Sequence, residues 1–264
     1  MNKAGPVRDM FDRIARRYDL VNTVMTGGID AVWRRRAVAQ LALRTPCPKI
    51  IDLCCGTGAL TLEIARRVPG AAVVGADFSP AMLAVARARR SAANVEYVEA
   101  DVLQLPFDAG QFAGATMGFS MRNVVDVGAC LRETARILRP GARFVNLDVS
   151  EPQNRLWRQA FDAYFYGLVP LIGRLLGGDA AAYRYLPQSL VNFPDSRRLA
   201  QLFCDNGFEQ VRAVPLFGGI ATLHVGASQG FAAPAPGRHA GVSAQTPVPG
   251  AGERSSAKDY ASSA

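Results

Sequence analysis

With 264 residues, 49% of them hydrophobic, 20% charged and only five cysteines, the chain can bury a sizeable core and is not a disulfide-built miniprotein. No apolar run approaches the roughly 18 residues of a membrane-spanning helix. Met1–Pro6 leads into a charged stretch with no apolar signal region, which predicts a cytoplasmic, reducing compartment. The net charge of +8 leaves three readings open: nucleic acid, an anionic membrane surface, or plain solubility.

In chain order, Val7–Met25 comes first. It places Met10, Ile14, Val21 and Met25 at helical spacing, with Phe11 and Tyr18 beside them, and predicts one amphipathic helix. Trp33 with Arg34–Arg35–Arg36 follows on a second helical segment. Then come apolar runs at Lys49–Cys54, Ala71–Ala76, Val95–Val98, Phe112–Met117 and Arg143–Val149, separated by helical patterns at Ala59–Val68, Ala81–Arg90 and Gly128–Leu138. That alternation predicts an α/β fold, a doubly wound and mostly parallel sheet, and the scarcity of polar residues in the first four runs fits strands covered on both faces. Trp157–Leu190 reads as an aromatic-rich helical insertion, and Asp195–Asn206 as a further helix. Glu209–Phe217 and Ile220–Val225 around Gly218–Gly219 read as a closing hairpin, for seven strands in all. Near Gly226 the composition changes. A domain over 1–227 is followed by an Ala/Pro/Gly/Ser-rich segment, 228–264, with too few large apolar groups to offset the entropy of ordering it.

The chemistry concentrates in Asp52–Leu53–Cys54–Cys55–Gly56–Thr57–Gly58, at the carboxyl end of the first strand. Glycines there let backbone approach a ligand, and the following helix offers free N–H groups. Position 61 is Thr, so the dinucleotide fingerprint is incomplete, and no Lys follows to make a phosphate loop. Gly118–Phe119–Ser120–Met121–Arg122 lacks the last glycine of a nucleophile elbow. His224 and His239 are the only histidines, and Cys54–Cys55 lack the spacing of a metal knuckle, so no metal site is expected. The carboxylates are more informative. Asp77 ends the second strand about 20 residues beyond the loop, where it can accept from both hydroxyls of a ribose, and Asp101 ends the third, within reach of a nucleobase edge. The pattern predicts a nucleoside-containing ligand.

These residues resemble the class I S-adenosylmethionine-dependent methyltransferases, and more narrowly the C-methyltransferases of menaquinone and ubiquinone biosynthesis. The resemblance runs from about Met10 to Gly226. It rests on Met10–Ala15 with Tyr18–Asp19–Leu20–Val21–Asn22, the loop Asp52–Gly58, Asp77–Leu83, Leu105–Phe107 and Phe119–Val124. Leu138–Gly141, and Tyr183–Arg184–Tyr185–Leu186 with Ser189–Leu190, complete it. The glycine loop alone is common to the superfamily; the Tyr-Asp-Leu-x-Asn, Arg-Asn and Tyr-Arg-Tyr-Leu blocks are more specific. The resemblance implies S-adenosylmethionine as co-substrate, contacted by Asp52, Gly56, Thr57 and Gly58 in and beside the loop, Asp77 on the ribose, Asp101 with Val102 near the adenine, and Gly118 beside the sulfonium. Relatives often carry Asn-Ala or Asp-Ala at positions 101–102, Ser at 118, and Phe-Gly-Leu at 119–121.

The implied reaction methylates a ring carbon of a reduced, prenylated quinol, and needs alignment, dryness and a polarised phenol oxygen rather than a metal. Arg122 and Asn123 are the candidates for the oxygen, Tyr185, Arg184 and Tyr164 for the ring pocket, and His224 for a base. Another small-molecule methyltransferase, an RNA methyltransferase and a non-catalytic cofactor-binding subunit are the alternatives. No nucleic acid is expected, since Arg34–Arg36 lie beside Trp33 without the interleaved exposed aromatics of such a surface. Residues 1–40 hold eight basic against four acidic side chains, a net +4, which suggests a peripheral foothold on the inner face of an anionic membrane. A homodimer is left open.

Overall fold

A computed structural model describes residues 4–43, 45–172, 185, 188–190 and 193–230. The composition-biased segment lies beyond them except for its first residues, and Tyr183, Arg184 and Leu186 lie outside them too. Seven strands form one sheet: β1 (Lys49–Leu53), β2 (Ala72–Asp77), β3 (Val95–Glu99), β4 (Phe112–Gly118), β5 (Leu138–Val149), β6 (Phe208–Leu216) and β7 (Ala221–Ser228). Their order is β3-β2-β1-β4-β5-β7-β6. β1 to β5 run parallel, and β7 enters antiparallel between β5 and β6.

Alternation along the strands divides the core. Ile51, Leu53, Phe112 and Phe144 pack on one face with Phe203 and Phe208. Ile50, Val73, Val145 and Leu147 pack on the other with Ile64 and Leu223. Both faces are covered by helices, which is why β1 is buried from Ile50 to Leu53, with Asp52 the one polar side chain in that stretch. The chain order reverses between β1 and β4, and a sheet of this kind opens a crevice at the carboxyl ends of the two strands that part there.

The helices over the sheet include α3 (Asp30–Ala39), α4 (Ala59–Arg67), α5 (Pro80–Arg89) and α6 (Val127–Ile137). Ser79 caps α5 by accepting from the Met82 N–H, with Pro80 in the first turn, and Asp126 caps α6 through the Ala129 N–H.

The amino-terminal segment departs from expectation. It forms two helices, α1 (Ala4–Ile14) and α2 (Tyr18–Thr26), separated by a turn in which the Arg17 N–H donates to the Ile14 carbonyl. The break keeps Met10, Ile14 and Val21 in one buried cluster, so the apolar period runs through it and does not reveal it. β5 begins five residues earlier than the apolar run suggests. Leu138 pairs with Phe112 and, after a bulge, Arg143 pairs with Gly114, so Pro140–Gly141 lies inside the irregular strand. The aromatic insertion opens as α7 (Arg155–Asp162), a π-helical stretch Ala163–Leu168 and a short helix Val169–Ile172. The last helix is Ser196–Asp205.

Candidate active site

The glycine loop leaves β1 through left-handed backbone at Cys54, Gly56 and Gly58, with φ of 50°, 55° and 80°. At Gly58 a Cβ would also stand 2.4 Å from the Tyr97 hydroxyl, so only glycine fits. Cys54 tolerates the same region at a cost of about 1–2 kcal/mol. Phe119, just past β4 on the other side of the crevice, does likewise with φ of 60°. Strained residues therefore stand on both strands that part at the switch point.

Beneath the loop, Asp52 is 1% exposed, and its two oxygens accept from the hydroxyls of Thr61 and Thr116, each at 2.7 Å. It ties β1 to β4 and α4, and positions the loop. Asp77 sits above it, accepting from the Gly56 N–H at 2.8 Å and the Ser79 N–H at 2.9 Å. One carboxylate thus pins the glycine loop and the cap of α5 together. Among the described residues no cation pairs with either acid; burial pushes both carboxyls up to about 6, against the pull of these hydrogen bonds.

The sign of that shift sets a pH dependence. A carboxyl whose pKa is higher in the folded than in the unfolded chain favours folding at low pH, and that contribution is lost as pH rises through about 6. Asp52→Asn, which carries no charge to bury, will melt near the parent at pH 5 and gain on it between pH 5 and 7. Thermal unfolding of the two proteins across that range is the check, and a constant difference would refute it.

A cavity of about 160 Å³ follows the crevice. Gly56 and Thr57, Asp77, Asp101 with Val102, and Gly118 all line it, and Asp52 reaches its floor. Asp101 is exposed at its edge, with one oxygen accepting from the Leu103 N–H at 2.9 Å. Gly58 shapes the loop without lining the cavity. Cys54 and Cys55 are wall residues whose thiols burial holds well above their ordinary range, so neither is a thiolate nucleophile.

The roof comes from the amino-terminal helices. Thr57 donates to Asp19 at 2.6 Å, Asp19 pairs with Arg90 at 2.8 Å, and Arg90 closes the triangle on the Thr57 carbonyl at 2.9 Å. Ser79 meets Asp12 of α1 at 2.5 Å. Two carboxylates from α1 and α2 thereby hold these helices on the two loops that Asp77 joins.

A second cavity, about 320 Å³, lies against the first. Its walls are apolar and aromatic, including Met10, Trp33, Phe161, Phe165 and Ile220, and Arg122, Asn123 and Tyr185 line it. Phe11, Tyr18, Asn22, Asp30, Phe119 and Asn123 border both cavities. Of these only Asn123 stood among the candidate site residues. Tyr18 and Asn22 belong to the Tyr-Asp-Leu-x-Asn block, whose four-residue spacing puts both on one side of α2; that was the available signal. Burial raises the Tyr18 hydroxyl, opposed in part by Asn22 and by the positive charge of Arg122.

Arg122 is 6% exposed at the side chain and forms a close ion pair with Asp148, which is 3% exposed. Its Nε donates to the Ser189 hydroxyl at 3.2 Å. His224 is not brought to the site. It lies mid-strand on β7 opposite Asn146, its Nε2 3.0 Å from both the hydroxyl and the carbonyl of Ser196, with the Phe203 ring alongside, and it lines neither cavity. Burial pulls its imidazole below the ordinary range. The alternation of β7 turns it toward the Phe144–Phe203 core.

An acidic residue at the tip of β2, a tight glycine turn and a cleft at the switch point suit a nucleoside sulfonium: Asp77 for the ribose, backbone for the charged end, and Val102 and Leu103 for a flat ring. Together with the seven-stranded sheet closed by an antiparallel β7, these features define a class I S-adenosylmethionine-dependent methyltransferase. Solved structures share the fold. A SAM-dependent methyltransferase from Thermotoga maritima superposes with a TM-score of 0.59 at 17% identity, over 83% of this chain and 99% of that one. A geranyl diphosphate methyltransferase in complex with SAM gives 0.52 at 18%, over 75% and 84%.

Residues 1–228 match the ubiE/COQ5 methyltransferase family, and the chain belongs to it. A demethylmenaquinone methyltransferase of Thermus thermophilus is 44% identical over 219 residues, 82% of this chain and 99% of that protein. The ubiquinone/menaquinone biosynthesis C-methyltransferase UbiE of Pseudomonas putida is 37% identical over 229 residues, 85% and 89% of the two chains.

Proposed function

We propose that this methyltransferase acts on a ring carbon of a prenylated quinol, with demethylmenaquinol as the first substrate and 2-methoxy-6-polyprenyl-1,4-benzoquinol as the second. The observation that carries the reading is the pair of cavities: a cleft fitted to a nucleoside shares a wall with a larger, mostly apolar chamber rich in aromatic side chains. Its relatives' names support the same substrate class.

S-adenosylmethionine, when bound, supplies a methyl group already activated on its sulfonium. The chain's residues then have three tasks. Asp77, Thr57 and the backbone of Gly56 hold the donor, with Asp101, Val102 and Gly118 along its length. Phe119, Trp33, Phe161 and Phe165 exclude water from the acceptor ring, which keeps an electron-rich carbon reactive. Arg122 and Asn123 face the phenol oxygen and favour its ionised form, which raises the nucleophilicity of the ring. Tyr185 closes the same chamber, its hydroxyl raised by burial and so kept protonated as a donor. Position argues against His224 as the base, and Asp52 acts through the loop rather than on the donor.

Among the described residues no helix is long and apolar enough to cross a membrane. Contact with an anionic surface through the basic residues of 1–40 is part of the proposal, tempered by pairing: Arg34 is bound to Asp30 at 2.8 Å and Arg8 to Glu99 at 3.4 Å.

The test supplies methyl-labelled S-adenosylmethionine with each quinol, chemically reduced, and with bulk RNA. Label is expected on the ring of the naphthoquinol above the benzoquinol, and none on RNA. Transfer to RNA with neither ring labelled would overturn the reading.

A further inference from the structure

Of the ten large apolar side chains exposed among the described residues, Leu20, Val24, Val32 and Val125 lie apart, while the other six gather on Arg155–Ile172 and the β6–β7 turn. Leu156 is 76% exposed, Trp157 49%, Leu168 45%, Leu171 43% and Phe217 58%. The first four fall within Arg155–Ile172, and Phe217, on the turn between β6 and β7, meets Trp157 with ring centroids 6.5 Å apart. Such clustering marks an interaction surface, whereas single exposed apolar residues do not. The same segment turns Phe161, Phe165 and Val169 inward to form a wall of the apolar chamber. Trp157 and Phe217 belong to both sets, exposed outside and lining the chamber within. The chamber therefore reaches the surface in the middle of the patch.

We propose that this collar seats the enzyme in the interfacial layer of a lipid bilayer, with the chamber mouth between Trp157 and Phe217 opening directly into lipid. The proposal rests on the quinol reading, because an acceptor carrying a polyprenyl chain is dissolved in hydrocarbon. Composition argues for lipid as the occupant. Leucines at the tips, with an amphipathic Trp at the rim, match the apolar face and interfacial ring of surface-bound helices. Arg155 on α7 stands on the flank, beside Arg158, which is paired with Glu151. A second copy docked on the same face would stopper the chamber that the patch surrounds.

The experiment uses the full chain with phosphatidylcholine vesicles, with and without phosphatidylglycerol, separated by flotation. The chain's two tryptophans differ usefully, since Trp33 is 5% exposed and Trp157 is the one at the collar. The parent protein will float with both vesicle types, and its emission will shift to the blue and be quenched by acyl-brominated lipid. Leu156→Glu/Leu168→Glu, at positions that line neither cavity, will lower vesicle partition by about tenfold or more. Its turnover of a short-tailed, water-soluble quinol will stay within about twofold of the parent. Three results would overturn the proposal: no flotation of the parent, flotation that needs anionic lipid and ignores the substitutions, or a sedimenting dimer that the substitutions dissociate. If the parent instead floats as expected but fails on every quinol, it is the substrate reading that falls.

Discussion

An Asp77→Asn variant will bind S-adenosylhomocysteine about a hundredfold more weakly than the parent while remaining folded. The reason lies in what its carboxylate already holds. Both oxygens accept backbone N–H groups, one from Gly56 and one from Ser79. An amide turns one acceptor into a donor facing a donor, so one of these loops must move. The ribose acceptor and the loop geometry are lost together, and hydrogen bonds to a charged group contribute roughly 1.5–3 kcal/mol each. Calorimetric titration measures the loss. Thermal stability of the ligand-free variant should fall little above pH 6, because Asn avoids burying the charge that holds Asp77 at about 6. Weakened binding by less than about threefold would remove Asp77 from the donor site.

Arg122→Ala is expected to lower kcat by on the order of a hundredfold or more, with S-adenosylhomocysteine affinity unchanged. That substitution also strands Asp148 as a buried, unpaired charge, which typically costs about 3–5 kcal/mol of stability. Stability and chemistry are separated by a second variant, Arg122→Gln/Asp148→Asn, which neutralises both partners. It should recover most of the melting temperature and remain slow. Recovery of turnover along with stability would reduce Arg122 to an internal strut, and loss of donor binding in either variant would move it to the other cavity.

The sheet was largely legible in advance because parallel strands covered on both faces need mostly apolar runs, and Val73–Ala76, or Ile50–Leu53 with its one buried Asp52, are such runs. What the period of a pattern cannot show is a break that preserves phase, as between Ile14 and Tyr18, or a strand that carries Pro140–Gly141 through a bulge. Along the crevice, the gathering of Asp52, Gly56, Thr57, Asp77 and Asp101 around one cavity was readable because glycine and carboxylate at strand tips have few other uses. Gly58 proved a shaping residue, not a wall. The acceptor side depends on packing across long separations: Arg122 finds Asp148 on a neighbouring strand, and α2 meets the insertion where Tyr164 donates to the Met25 carbonyl. The left-handed turns at Cys54 and Phe119 carry no glycine to announce them. A histidine on a strand names no direction, and the pleat of β7 sent His224 into the core.

The wall common to the two cavities has a consequence for traffic. The smaller cavity, proposed for the donor, reaches water beside Asp101 and Val125, whereas the larger, proposed for the acceptor, reaches the surface beside Trp157 and Phe217. On the proposed assignment, a water-soluble nucleoside and a greasy ring enter by separate doorways and meet across Phe11, Tyr18, Asn22, Asp30, Phe119 and Asn123. Neither reactant has to leave for the other to arrive, and each spent product can depart into the phase that dissolves it. The partition between the cavities works as a boundary between two solvents, crossed in each cycle by nothing larger than a methyl group.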